Sequence, residues 1–228
     1  PGDPARTLWT ADGNASVQDC RAIEKLMATF REAVGAEVEI ALDLNFNFRT
    51  EANMRMARAV EPFDLMWLEL DSYDISALRE VKAATRAPIC SGESLYTMRQ
   101  YKPYLDAHAM DVVMIDVAWN GLSESRRIAA LADACEIGVS PHNYYSHLST
   151  MMCAQLCAVI PNLRILEVDI DSAPWRDDIV TNPPVIENGH LALPTAAGLG
   201  TDVNEKEVRR RPWNGKADPL RLRRARGN

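Results

Sequence analysis

The chain of 228 residues has an ordinary globular composition, with 47% hydrophobic and 25% charged residues. That composition excludes disordered, collagen-like and disulfide-scaffold proteins, and every apolar run is far shorter than the roughly 20 residues that cross a bilayer. The formal net charge of −7 argues against nucleic acid as the main partner. We therefore expect a globular protein that binds neither nucleic acid nor a membrane.

The five cysteines lie in apolar stretches, and no two have the Cys-x-x-Cys spacing of metal or redox pairs. A free thiol in such surroundings behaves as a small hydrophobic side chain. The chain opens with Pro1 and shows no charged-then-apolar segment typical of secretion. These features favour a reducing, cytoplasmic location.

Charge is distributed unevenly along the chain. From Lys206 to Asn228 there are nine Lys and Arg against two Asp and Glu, so the remainder carries −14. No aromatic ladder accompanies these basic residues, which favours a solvated or docking segment over a nucleic-acid arm. We predict one domain over residues 1–203 and a basic carboxy-terminal extension over residues 204–228, to which the sequence assigns no function.

The first predicted element is an amphipathic helix over Val17–Val34, with Ser16 as its N-cap and Gly35 as its end. Apolar strand patterns and helical patterns then alternate. The predicted strands are residues 38–44, 65–70, 88–92, 112–116, 138–141 and 164–168. The predicted helices between and after them are residues 51–60, 75–85, 97–109, 123–137 and 147–160. Buried strands that alternate with helices indicate parallel βαβ units in an α/β fold.

Each predicted strand ends at, or just before, an ionisable residue. In chain order these residues are Asp43, Glu69, Glu93, Asp116, His142 and Glu167. Their intervals of 26, 24, 23, 26 and 25 residues match the length of one strand, one helix and two loops. In a doubly wound sheet functional residues gather at a switch point, whereas in a (β/α)8 barrel all strand ends meet at one mouth. Six ionisable residues at consecutive strand ends favour the TIM-type barrel.

The predicted barrel is incomplete, because six strands are present where eight are needed. The helix over Val17–Val34 precedes the first strand, so its own strand is expected upstream of Pro1. We therefore predict about six βα units, corresponding to strands three to eight, with the first strands missing.

Asp43, Glu69 and Glu93 are three carboxylates on adjacent predicted strands. Left unpaired at one mouth they would repel one another, and each would resist ionisation. A divalent cation relieves this repulsion, and ligation by oxygen alone suits Mg²⁺ better than zinc. The alternative is that each carboxylate pairs with a local cation such as Arg49 or Lys82. Three carboxylates in consecutive register make that alternative the weaker interpretation.

Asp116 and His142 end the next two predicted strands. A carboxylate beside an imidazole fixes its tautomer and raises its basicity, which makes a general acid/base. A cation next to such a histidine suits removal of a proton adjacent to a carboxylate, because the cation stabilises charge on the enolate oxygens. We expect Mg²⁺ as cofactor, a small-molecule carboxylate as substrate and, since many barrels associate, a homo-oligomer.

The strand ends carry an ordered set of motifs, namely Asp43-Leu44-Asn45, Trp67-Leu68-Glu69, Gly92-Glu93, Ile115-Asp116-Val117, Ser140-Pro141-His142-Asn143 and Ile165-Leu166-Glu167. This set resembles the successive strand-end motifs of the enolase superfamily, in its mandelate racemase and muconate lactonizing branch. The resemblance covers about residues 17–203. Each motif is weak alone, whereas six in order at barrel spacing are specific.

The resemblance implies roles for the residues that match. Asp43, Glu69 and Glu93 match the three Mg²⁺ ligands of the family. Asp116 and His142 match its acid/base dyad on one face of the substrate. Sites of this superfamily generally combine Mg²⁺ with a Lys or His base.

Two further residues match the family, and some features depart from it. Glu167 matches the acid that donates a hydrogen bond to the enolate oxygen, and Asn45 matches a polar neighbour of the metal that can reach substrate. Leu70 and Asp71 stand where the family usually has an acidic residue and a proline, so Asp71 could compete for the metal. The family's Lys-x-Lys on strand two and its amino-terminal capping domain would precede this chain.

Three functions remain open from the sequence. The first is Mg²⁺-dependent dehydration of a sugar acid, with His142 as the acid that helps a β-hydroxyl to leave. The second is a racemase or epimerase of a hydroxy or amino acid, in which His142 and an upstream lysine work on opposite faces. The third is a catalytically silent barrel that keeps its ligands but lacks the second acid/base.

Overall fold

The computed structural model describes residues 12–169 and 173–212. Its helices are α1 (Val17–Val34), α2 (Thr50–Val60), α3 (Ile75–Ala83), α4 (Thr97–Asp106), α5 (Val117–Ala134), α6 (His147–Cys157) and α7 (Glu205–Arg209). Its strands are β1 (Ala41–Asp43), β2 (Trp67–Glu69), β3 (Ile89–Ser91), β4 (Val112–Asp116), β5 (Gly138–His142), β6 (Ile186–Glu187) and β7 (His190–Leu191). A 3₁₀ turn over Glu61–Phe63 follows α2.

Helix α1 begins and ends where the sequence predicts. The Ser16 hydroxyl accepts a hydrogen bond from the backbone N–H of Asp19, and the Asp19 carboxylate accepts one from the backbone N–H of Ser16. This reciprocal capping box satisfies two backbone donors at the helix start. At the other end Gly35 has φ 75° and donates its N–H to the carbonyl of Arg31, which stops the helix.

Strands β1 to β5 form one parallel sheet in sequential order. Each strand pairs only with its chain neighbours, and helices α2 to α5 connect the strands. Sequential parallel strands joined by helices are the arrangement of a (β/α)8 barrel wall, and the predicted α/β fold class, an incomplete barrel, is confirmed. Strands β1 to β3 are shorter than predicted, with three residues each, whereas β4 has its predicted bounds and β5 extends one residue further, to His142.

The sixth predicted strand, residues 164–168, does not form a strand. A single parallel bridge joins Leu163 to Val139 of β5, with the Arg164 N–H donating to the Val139 carbonyl. The next donor in this parallel ladder would be residue 141 of β5, and Pro141 has no N–H. The Ser140 hydroxyl donates to the carbonyl of Ile165 instead, at 3.0 Å. This segment therefore follows the barrel wall without becoming a ladder strand.

The sheet separates two apolar layers. Buried side chains on one face join the helices in the main core, whereas Trp67, Cys90, Val112 and Met114 form a small separate cluster. Because side chains alternate along a strand, Asp116 lies on the same face as Met114. The inner face of the barrel wall is therefore apolar in its middle and ionisable at the carboxyl ends of its strands.

Helix α5 begins earlier than predicted, directly after β4. The Asp116 carboxylate accepts a hydrogen bond from the backbone N–H of Trp119, which caps a first turn. Gly121, with φ 73° and ψ 158°, then interrupts the helix. The predicted start at residue 123 corresponds to the longer part beyond this kink.

The carboxy-terminal segment consists of turns, the β6–β7 hairpin and α7, and its Asp177 contacts His147 of α6 at 2.5 Å. Val180 and Val203 form an antiparallel bridge, and Arg211 reaches Asp178 at 2.7 Å and the ring of Trp175. The domain boundary predicted at residue 203 stays a prediction, and residues 213–228 of the predicted extension lie outside the described residues. None of the helices described has the length and apolar character required to span a membrane.

Candidate active site

The backbone register brings the predicted site residues to one end of the sheet. Asp43 of β1 pairs with Glu69 of β2, and Asp116 of β4 pairs with His142 of β5. Glu93 follows β3, which lies between those two pairs. All five residues therefore lie at the carboxyl ends of neighbouring parallel strands, where barrel enzymes build their sites.

His142 and Asp116 form a hydrogen-bonded pair. His142 Nδ1 lies 2.9 Å from Asp116 Oδ2, and the Asp116 side chain is fully buried. Burial disfavours a charged imidazole, but the hydrogen bond to Asp116 and the charges of Glu167 and Glu93 outweigh it and raise the pKa of His142 to about 9. Because Nδ1 faces the carboxylate, Nε2 is the nitrogen available for proton exchange.

Tyr145 completes the surroundings of this pair, and sequence reasoning missed it. Its hydroxyl donates to Asp116 Oδ2 at 2.8 Å, and its ring meets the imidazole of His142 edge-on, with centroids 5.7 Å apart. Asp116 thus accepts three hydrogen bonds, since its Oδ1 also takes the N–H of Trp119. The sequence feature that could have indicated Tyr145 is its position three residues after His142, in the loop that leaves β5.

The three carboxylates on β1 to β3 lie in an electrostatically unfavourable place. Burial, then the charges of Asp43, Glu93 and other acidic neighbours, raise the pKa of Glu69 to about 9. Burial also raises the pKa of Glu93 to about 7, although His142 works in the opposite direction. The pKa of Asp43 is raised by burial as well. Each carboxylate therefore resists ionisation, as expected for acids that share a mouth without a cation.

Lysine and arginine do not relieve this repulsion in the part of the chain that the structure describes. Lys82 pairs with Asp111, at 2.8 Å between Nζ and Oδ1, and none of the described ion pairs joins Arg49 or another Lys or Arg to these carboxylates. Within the described residues, the one ionic contact of these carboxylates is that of Glu93 Oε2 with His142 Nε2, at 3.2 Å. The alternative of local cation pairing is thus not what the structure shows.

The donor chemistry fits Mg²⁺, although the side chains are not gathered around an ion position. Among residues 12–169 and 173–212, no three His, Cys, Asp or Glu side chains form a group that could hold a metal ion. Glu93 contacts His142, and Asp43 accepts the N–H of Asn45 at 2.5 Å. A dication would replace these contacts and relieve the repulsion among carboxylate oxygens on adjacent strands. Asp43, Glu69 and Glu93 are the residues that would hold it, and this assignment stays a prediction.

Glu167 and Asn45 occupy opposite margins of the described sheet. Glu167 Oε2 accepts the backbone N–H of Asn143 at 2.7 Å, and the Asn143 amide donates to the Glu167 carbonyl at 2.9 Å. This contact fixes the acid beside the end of β5. Asn45, with φ 51°, accepts the N–H of Phe46 on its own side chain, so that side chain is engaged in its loop. Their predicted roles toward substrate stay predictions.

Two surface cavities lie away from these strand ends. One, of about 310 Å³, is lined in part by Lys82, Arg86 and Asp111. The other, of about 530 Å³, lies between α4 and α5 and is lined in part by Met98 and Glu124. Neither includes an ionisable strand-end residue, because five strands make an open wall whose mouth is not enclosed. The chemistry of the strand ends, and not cavity volume, identifies the candidate site.

Comparison with known proteins identifies the family of the chain. The enolase C-terminal domain-like family matches residues 9–207. D-xylonate dehydratase of Haloferax volcanii is 34% identical over 79% of this chain and 44% of its own length. D-gluconate dehydratase of Thermoproteus tenax is 32% identical over 83% of this chain and 39% of its own. The chain thus spans less than half the length of these two relatives.

Among solved structures, a proposed L-alanine-DL-glutamate epimerase of Burkholderia xenovorans, bound to magnesium and fumarate, superposes with a TM-score of 0.85. It is 42% identical over 87% of this chain and 50% of its own. A mandelate racemase/muconate lactonizing enzyme-like protein of Rubrobacter xylanophilus gives a TM-score of 0.84 at 38% identity, over 90% of this chain and 53% of its own. Sequence family, fold and ordered strand ends agree: the chain belongs to the enolase superfamily, in its mandelate racemase branch.

Proposed function

We propose that the protein removes the proton α to a carboxylate with the help of Mg²⁺, through an enolate intermediate, and that the overall reaction is dehydration of a sugar acid. The observation that carries this proposal is the pairing of His142 with buried Asp116 at the same strand ends as three mutually repelling carboxylates. The names of the dehydratase relatives support the substrate class.

The metal, when bound to Asp43, Glu69 and Glu93, supplies positive charge that stabilises the enolate oxygens. The protein's own contribution is to place an imidazole beside that charge. Asp116 holds Nδ1 of His142, so Nε2 faces the mouth and carries the proton that is given up. In dehydration a base takes the α-proton, the β C–O bond breaks, and His142 protonates the departing hydroxide to water. The resulting enol tautomerises to a 2-keto-3-deoxy acid.

Epimerisation is the second candidate, and a specific observation favours it. The magnesium- and fumarate-bound structure that superposes on this chain is named as a proposed epimerase and is 42% identical. In that reaction His142 would return a proton to the α-carbon and no C–O bond would break. The same residues serve both reactions, so the fate of the β-substituent distinguishes them.

Incubation in D₂O with Mg²⁺ tests the choice. D-xylonate, D-gluconate and L-alanyl-glutamate are offered separately, and the mixtures are analysed by NMR and for 2-keto acid. Dehydration predicts a 2-keto-3-deoxy acid from one of the sugar acids. Deuterium at the α-carbon of recovered substrate, without keto acid, would instead establish epimerisation and overturn dehydration.

We also propose a cytoplasmic location and a homo-oligomeric state. The first is supported by the five cysteines, which are all free although they include buried and half-buried thiols. Burial raises the pKa of the Cys157 thiol to about 11, which makes it a poor nucleophile. Size-exclusion chromatography with light scattering tests the oligomeric state.

A further inference from the structure

Gly92, the residue before the predicted ligand Glu93, has an unusual backbone conformation. Its φ is 114°, where side chains other than glycine's are strained. A Cβ atom at this position would lie 3.1 Å from Cε1 of Tyr101 and 3.2 Å from the carbonyl oxygen of Met114. The turn toward the mouth therefore requires glycine here, because a larger residue would have a strained backbone and its Cβ would crowd Tyr101 and Met114.

Two buried side chains hold the peptide groups of Gly92. Its N–H donates to Asp71 Oδ1 at 2.8 Å, and its carbonyl accepts the hydroxyl of Tyr101 at 2.8 Å. Tyr101 is fully buried, and its hydroxyl also contacts the carbonyl of Met114 at 3.2 Å. The backbone that leads into Glu93 is thus fastened from both sides.

Asp71 also ties together the two strands that carry neighbouring predicted ligands. It lies two residues beyond Glu69, and its Oδ1 accepts a second hydrogen bond, from the Ser91 hydroxyl at 2.7 Å. Both donors belong to the end of β3, and Asp71 is itself buried. One oxygen of a single carboxylate therefore extends the link between β2 and β3 beyond their last backbone hydrogen bond, from Leu70 to Cys90.

We propose that Asp71 is a positioning residue that orients Glu93 for metal binding by clamping Ser91 and Gly92. This inference rests on the proposed Mg²⁺-dependent function. In this role Asp71 acts through Oδ1, which accepts hydrogen bonds from both Ser91 and Gly92, and not as a ligand of the metal. The role is an alternative to the interpretation, open from the sequence, in which Asp71 competes for the metal.

Two substitutions at this position separate positioning from ligation. Asp71→Asn keeps an oxygen that can accept both hydrogen bonds, whereas Asp71→Ala removes them. Mg²⁺ affinity is measured by isothermal titration calorimetry on the full chain, and Mn²⁺ binding by electron paramagnetic resonance, at a temperature where circular dichroism shows every variant folded. We expect Asp71→Ala to weaken affinity by about 10- to 100-fold, as loss of an outer-shell partner does, and Asp71→Asn to stay within about threefold.

Ser91→Ala provides a second variant should Asp71→Ala fail to fold. It removes one of the two donors and leaves the Gly92 bond, so a smaller loss of about three- to tenfold is expected. Asp74→Ala is the matched control: Asp74 caps α3, three residues away along the chain, so its loss lowers the melting temperature without changing Mg²⁺ affinity.

Each outcome decides the proposal. Equal losses for Asp71→Asn and Asp71→Ala would show that the charge or direct ligation matters, and would overturn positioning. Unchanged affinity in Asp71→Ala would overturn it as well. A wild-type chain that binds no Mg²⁺ would remove this proposal and the metal-dependent function together. Mg²⁺ binding with the expected pattern, but no turnover of any acid, would sustain the positioning role and contradict only the proposed reaction.

Discussion

The two halves of the barrel wall, β1 to β3 and β4 with β5, differ in how their ionisable residues are hydrogen-bonded. On β4 and β5, five-residue strands pair along their whole length, and Asp116 is fully buried with three hydrogen-bond donors around it. On β1 to β3 the strands have three residues each, and no described hydrogen bond reaches the Glu69 carboxylate. The half made of β4 and β5 is organised by hydrogen bonds within the protein, whereas in the other half burial and neighbouring charges raise the pKa of the carboxyl groups of Asp43, Glu69 and Glu93.

This difference separates what each half contributes. The His142–Asp116 dyad needs little reorganisation when substrate binds, because its hydrogen bonds are already formed. A cluster of uncompensated acids is unstable by itself and gains when a cation arrives. The contrast predicts that substitutions in the two halves affect different measurements.

The largest effect is expected for His142→Asn. Loss of the general acid/base should lower turnover of the acid substrate by about 10²- to 10⁴-fold, while Mg²⁺ affinity changes little because the three carboxylates are retained. Steady-state kinetics and calorimetry measure the two quantities. His108→Asn is a suitable control, since His108 is exposed at φ 47°, which asparagine tolerates. Wild-type turnover in His142→Asn would refute the acid/base role.

Glu69→Gln should show the opposite pattern. Removal of one anionic oxygen donor leaves too few hard ligands, so Mg²⁺ affinity is expected to fall by about 100-fold or more. The His142–Asp116 pair should keep its geometry. Calorimetry measures affinity, and the resonance of the Nδ1 proton of His142 reports on the pair. Glu80→Gln, on the exposed side of α3, serves as the control. Unaltered affinity would exclude Glu69 from the metal site.

The pH dependence of unfolding sharpens the comparison in metal-free protein. The pKa of Glu69 is about 9 when folded, against an ordinary value of 4.5. Between these two pH values the folded state keeps the proton on the Glu69 carboxyl, whereas the unfolded state has lost it. The free energy of unfolding therefore falls as pH rises from about 4.5 to 9. His142, with a pKa of about 9 against 6.5, contributes loss of the same sign over the upper part of that range.

Chemical denaturation at pH 5 and pH 8 measures this loss. Glu69→Gln should remove on the order of 2 kcal/mol of the difference between the two pH values, because an amide does not ionise. Saturating Mg²⁺ should restore stability to the wild type at pH 8, since a ligand that binds only the folded state stabilises it. A wild type and variant with parallel pH profiles would show that Glu69 is not under electrostatic strain.

The smallest effect is expected for Tyr145→Phe. The change removes one of three hydrogen bonds to Asp116, so stability should fall by about 1 kcal/mol, and turnover by less than about tenfold, with KM nearly constant. Tyr144→Phe is the matched control, because Tyr144 is the exposed neighbour. Equal behaviour of the two variants in kinetics would show that Tyr145 has no part in holding the dyad.

Much of the fold follows from the sequence, because apolar strands and amphipathic helices alternate at a regular interval. The ends of α1 were predictable for the same local reason, since Ser16 and Asp19 act on the first turn of the helix and Gly35 acts on its last turn. The strand-end residues were predictable from their spacing, because residues that recur once per βα unit lie at the same edge of a parallel sheet.

Other features depend on contacts between distant residues and could not be read from the sequence. To predict that the sixth strand does not form, one must know that Pro141 stands where the next backbone N–H of the ladder would be needed. The roles of Asp71 and Tyr145 require knowing which backbone or carboxylate oxygen they meet. Each lies two or three residues beyond a predicted site residue, in a loop whose direction no periodicity determines.

Pro141 has a consequence for how this architecture can change over generations. Since the backbone ladder stops there, the stretch that bears Glu167 is attached beyond that point by the side chains of Ser140 and Asn143 and by the backbone N–H of Asn143, which donates to the Glu167 carboxylate. Main-chain pairing with Val139 fixes the start of this stretch, and two replaceable side chains hold the part that follows. Substitution at either would shift that acid while the main-chain pairing of β1 to β5 stays in place, so the seam after β5 can vary more freely than the wall beside it.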